Sequence, residues 1–124
     1  GAMPVLRVGS GKQFLALAQV PPLSGRIHHA SMAVDDFDVD RIFSLLEGYG
    51  LSILGEAGSA SSPLQAYVTM RGPDRGGAQQ GTPELYFTDP DGILIQLQDS
   101  SYCGGNGYLG QECGTVENPT GRNN

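Results

Sequence analysis

The chain has 124 residues, 39% hydrophobic and 16% charged, with 19 glycines, eight prolines, two cysteines and a net charge of -6. This length sets one domain with a modest core, and so many turn formers point to a strand-rich, soluble fold. A single lysine, Lys12, argues against sequence-independent nucleic-acid binding, which needs clustered Lys and Arg for the phosphates, and no apolar run approaches the roughly 20 residues that span a bilayer.

Residues 1–3, with Gly1-Ala2 before Met3, have the look of a cloning scar and stand outside the fold. Residues 4–20 read as a hairpin: Pro4 to Val8, a turn at Gly9-Ser10-Gly11, then Lys12 to Val20. Gly-Ser-Gly-Lys invites a phosphate-loop reading, but Leu6 occupies the place of the first glycine, Gln13 that of the Ser/Thr, and no helical pattern follows. Pro21 to Gly25 is a linker. Arg26 to Val34 alternates as a strand, with His28, Ala30, Met32 and Val34 on one face and Ile27, His29, Ser31 and Ala33 on the other.

Asp35, Asp36 and Asp38 then offer N-caps and acidic first-turn residues. Val39, Ile42, Phe43 and Leu46 recur at helical spacing, Leu45 widens the stripe, and Gly48 and Gly50 end the helix. Leu51 to Leu54 is a short strand, followed by a small-residue loop over 58–62. Leu64 to Met70 alternates again, with Gln65, Tyr67 and Thr69 on one face. Residues 71–83 form a long polar loop, either a functional lid or merely solvated.

Glu84 to Gln98 is the most informative stretch: two alternating runs joined by Asp89-Pro90-Asp91-Gly92, a tight-turn sequence. Leu85 and Phe87 face one way, Glu84, Tyr86 and Thr88 the other; Leu94, Gln96 and Gln98 oppose Ile93, Ile95 and Leu97. Residues 100–124 form a glycine-rich tail holding Cys103 and Cys113. Three readings stand for that pair: a disulfide, which would favour export, two free thiols, or part of a metal site. The compartment is otherwise unknown.

The expected architecture is α+β, one helix covering the apolar face of a sheet. The other face gathers His29, Ser31, Tyr67, Glu84, Tyr86, Gln96 and Gln98, a mixture of aromatics, carboxamides and small residues that suits a cavity wall. Alternation sends His28 to the opposite face, in a structural or interface role.

Three segments carry a resemblance: Ile-His-His-Ala-Ser-Met-Ala-Val-Asp-Asp, the helix end Glu-Gly-Tyr-Gly-Leu, and Leu-Tyr-Phe-Thr-Asp-Pro-Asp-Gly-Ile-Leu-Ile-Gln-Leu. Together they resemble the vicinal oxygen chelate superfamily, which includes glyoxalase I, bleomycin-resistance proteins and extradiol dioxygenases. The resemblance covers residues 26–99 and implies a βαβββ module in a curved mixed sheet, its helix on the convex side, with paired modules curling into a cup. It implies a divalent metal held by His29 and by Gln96, which stands where a Glu is usual, with Glu84 as third ligand or general base. It implies no nucleotide cofactor. Residues 4–20 look like the closing strands of a preceding module, so a second copy, possibly by strand exchange, is expected to complete the cup as a homodimer.

Two functions follow from that resemblance. One is a small-molecule-binding protein in which Ser31, Tyr67, Tyr86 and Gln98 contact the ligand. The alternative is a metal-dependent lyase, isomerase or dioxygenase with His29 and Gln96 at the metal and Glu84 in catalysis.

Overall fold

The computed structural model describes residues 4–10, 13–19, 21, 25–56, 58–75 and 77–100; Cys103 and Cys113 lie outside them. Among the described residues the fold is α+β, with one α-helix and a mixed five-stranded sheet. Two short strands, β1 (Val5–Arg7) and β2 (Phe14–Ala16), form a separate antiparallel hairpin around a turn in which Gly9 has φ +66°. The remaining elements run β3 (Ala30–Val34), α1 (Val39–Gly48), β4 (Ser52–Ile53), β5 (Gln65–Arg71), a 3-10 turn (Pro73–Arg75), β6 (Thr82–Thr88) and β7 (Leu94–Asp99). The spatial order in the sheet is β3-β7-β6-β5-β4. Its outer pairs, β3 with β7 and β4 with β5, are parallel, and its inner pairs are antiparallel.

Helix α1 starts where expected. Asp38 has extended backbone and its Oδ1 accepts a hydrogen bond from Arg41 N at 2.7 Å, satisfying one of the open N–H groups of the first turn. The helix ends where Gly50, at φ +91°, turns the chain so that Leu51 N returns to Leu46 O at 3.1 Å. Ile42 is buried and Val39, Phe43 and Leu46 are half-buried, as the spacing predicts. Leu45 departs from prediction: at 55% exposure it lies outside the buried stripe.

Residue pairing sorts the sheet into two faces. Val68 opposes Leu85 and Leu85 opposes Leu97, and with Ala66 these define the apolar face; Ile42 and Leu51 join the same core. Each large apolar side chain fully buried here contributes about 1.5–3 kcal/mol. On the opposite face Tyr67 pairs with Tyr86, Tyr86 with Gln96 and Thr69 with Glu84. Helix α1 lies against β4 and β5, at the opposite edge of the sheet from β3, where Ala30 and Met32 are exposed.

The Asp-Pro-Asp-Gly turn is built as its sequence implies. The Asp89 carboxylate accepts from Asp91 N at 2.9 Å and Ile93 N at 2.8 Å, and Gly92 takes φ +81°. Two predicted boundaries move. Regular pairing in β3 begins at Ala30, so His28 and His29 precede the strand. Arg71, expected in a polar loop, is the last residue of β5 and is 2% exposed.

The segment after Arg71 folds onto its own backbone. Gly77 N bonds Gly72 O at 2.9 Å, and Ala78 N bonds the Thr82 hydroxyl at 2.9 Å. A Cβ on Gly77 would collide with the Arg71 carbonyl, so this close approach requires glycine.

Candidate functional site

The polar face opens on a cavity of about 240 Å³. Tyr67 and Thr69 come from β5, Glu84 and Tyr86 from β6, and His29 from the approach to β3; His28, Gly58 and Leu94 complete the lining. Strand alternation brings the first four together, because Tyr67 and Tyr86 are register partners and so are Thr69 and Glu84. The two tyrosine rings stack, 5.1 Å between centroids and 10° apart, while His29 stands edge-on to Tyr86 at 5.7 Å.

The wall behind these rings is polar and buried. Glu84 is bound by Arg71, Nη1 to Oε1 at 2.7 Å, and its second oxygen accepts from the Tyr86 hydroxyl at 3.2 Å. Each of these buried charges thus meets its opposite, the condition under which such burial is tolerated. Thr88, also buried, accepts from Gln65 N at 3.0 Å and donates to Ser62 O at 2.8 Å. Gln65 Oε1 accepts from Ser61 N and Ser62 N, both at 3.0 Å, so the loop that carries Gly58 to the cavity is tied to the sheet.

A chain of hydrogen bonds runs from the cavity along β7. Gln96 donates from Nε2 to Gln98 Oε1 at 3.1 Å, leaving its own oxygen 3.0 Å from His29 Nε2. An amide oxygen only accepts, so His29 Nε2 carries the proton. In a neutral ring Nδ1 is then the acceptor, and His28 Nδ1, 2.9 Å away, donates to it. Burial lowers the His29 pKa below its ordinary 6.5; the bond to Gln96 opposes this, His28 adds to it, and Glu84 opposes it. His29 is therefore neutral at pH 7. Burial raises the Tyr67 pKa, so its hydroxyl stays protonated.

The chain matches no family model, no curated protein and no solved structure.

The geometry of the site therefore carries the functional reading. Of the residues the sequence singles out, His29, Tyr67, Glu84 and Tyr86 line one cavity, and Gln96 is buried behind His29. Gln98 is half-buried and ends the hydrogen-bond chain, and Ser31, opposite Gln96 on β3, is exposed; neither lines the cavity. His28, expected on the far face, lines the cavity beside His29, because strict alternation does not hold before the strand starts. Arg71 was not identified from sequence as part of the site, although the odd-numbered face of β5 continues through Gln65, Tyr67 and Thr69 to it.

A divalent cation held by His29, Gln96 and Glu84 would have to displace two contacts, because His29 Nε2 and Gln96 Oε1 are bonded to each other and the carboxylate is bound by Arg71. Among the described residues no group of three or more His, Cys, Asp or Glu is placed to hold a metal ion.

Proposed function

We propose that this chain is a small-molecule-binding protein of the vicinal oxygen chelate type, with its ligand held over the polar face of the sheet. The observation that carries this reading is the convergence of Tyr67, Tyr86, Glu84 and His29 on one cavity. Buried polar side chains on a sheet face that opens on a cavity suit a binding wall better than a solvated surface. In the βαβββ reading, β3, α1, β5, β6 and β7 are the module, β4 is an addition at its edge, the sheet curls into a cup, and α1 lies on its convex side.

A second copy of the chain completes the cup in this proposal. The support is exposed apolar surface: Leu6, Val8, Leu15 and Leu17 share one face of the hairpin and are 48–57% exposed, and β3 pairs on one side only among the described residues. Sedimentation velocity tests this, and a monomer at micromolar concentration overturns it.

Binding itself is tested by thermal shift against single-ring aromatic compounds. The wild-type protein is expected to be stabilised, and Tyr86→Ala to lose that stabilisation. The metal-enzyme alternative predicts a stoichiometric divalent ion in the purified protein that disappears in His29→Ala. A protein that retains no metal when purified without chelators counts against that alternative.

A further inference from the structure

The cavity also contains a polar group that the hydrogen bonds within the wall leave out. Tyr67 is 6% exposed and lines the cavity, yet its hydroxyl makes no hydrogen bond to any described residue. Its stacked neighbour differs, since the Tyr86 hydroxyl donates to Glu84. The oxygen is not sealed away as a buried unpartnered atom, so the hydroxyl is open to whatever the cavity admits, water or the acceptor of a ligand. Because the phenol remains protonated, it presents a donor.

Charge and size narrow the ligand. Among the described residues, the one carboxylate on the lining is matched by Arg71 at 2.7 Å, and the half-buried His29 imidazole is neutral. A cationic ligand finds no unmatched carboxylate there, and an anionic one meets a guanidinium already held by Glu84. A cavity of about 240 Å³ exceeds the roughly 150 Å³ that holds benzene and falls below the roughly 300–1,000 Å³ typical of drug-sized ligands. The space suits one substituted ring, which the stacked tyrosines can contact face or edge.

Resting on the small-molecule-binding reading, we infer that the ligand is an uncharged single-ring aromatic compound whose oxygen acceptor, such as a carbonyl, receives the Tyr67 hydroxyl. The full chain is titrated by NMR with four probes of similar shape: acetophenone, ethylbenzene, benzoate and benzamidine. Acetophenone is expected to bind about fivefold more tightly than ethylbenzene, the worth of one net hydrogen bond, and also more tightly than either charged probe. Tyr67→Phe is expected to abolish the difference in affinity between acetophenone and ethylbenzene.

If acetophenone and ethylbenzene bind the wild-type protein equally, the hydroxyl assignment is overturned while the binding reading stands; that comparison needs no variant. Benzoate or benzamidine binding as tightly as acetophenone overturns the charge argument. Failure of all four probes to bind overturns both readings.

Discussion

The two faces of the central strands are buried to the same degree by opposite means. On one, Ala66 and Leu85 are wholly inaccessible and pack as hydrocarbon; on the other, Arg71, Glu84, Thr88 and Gln96 are 2–7% exposed and are held by hydrogen bonds, Arg71 with Glu84, Thr88 with Gln65 and Ser62, and Gln96 with His29 and Gln98. Hydrocarbon packing gains from every neighbour and loses gradually when trimmed. A polar wall is conditional, because removing one member strands another in a medium that solvates it poorly. The comparison teaches that the cavity face is the more brittle half of the sheet, although it carries the candidate site.

Breaking the ion pair tests that contrast most severely. Arg71→Ala leaves Glu84 buried without its partner and is expected to cost about 3–5 kcal/mol in urea unfolding. Replacing both residues together, Arg71→Met with Glu84→Leu, should cost far less, and a double variant no better than the single one would refute the conditional character of this wall. On the other face, Leu85→Ala is expected to cost about 2–5 kcal/mol, with no partner substitution able to restore it. Asp89→Ala removes two turn hydrogen bonds common to both faces and should cost about 1–2 kcal/mol by the same measurement.

A smaller effect comes from pH. His29 has a folded pKa below its unfolded value of about 6.5, so the unfolded chain takes up the proton first. Above pH 6.5 both states are neutral at this position and it contributes nothing to the pH dependence; as pH falls below that value, stability is lost until the folded pKa is passed. Thermal unfolding from pH 7.5 down to 5 should therefore show a declining midpoint, and His29→Gln should flatten the decline. Least of all, Leu45→Gln on the exposed side of α1 should change stability by no more than about 0.5 kcal/mol.

Much of the fold was legible because its signals are local. The cap at Asp38, the turn at Asp89 to Gly92 and the alternation of β5, β6 and β7 each depend on residues a few positions apart. The same alternation assembled Tyr67, Glu84, Tyr86 and Gln96 on one wall. What escaped was decided by distant partners. Arg71 is polar and borders a glycine-rich segment, so composition made it a loop residue; only the carboxylate 13 positions later explains its burial. His28 escaped because its direction depends on where pairing with β7 begins, which is set across the sheet. Leu45 shows the limit of an apolar signal: the residue type expresses a preference for cover, and at 55% exposure the fold does not supply it.

Gly77 extends the reach of the site well beyond its lining. It lies outside the cavity and touches no ligand position, yet even a methyl group there would press on the carbonyl of Arg71 and disturb the residue that neutralises Glu84. In a library of variants this position should behave like a buried core residue, intolerant of every substitution, while the exposed side chains of Gln79 and Gln80, two and three positions later, should accept replacement. The shape of the pocket is therefore partly written in a residue outside its lining.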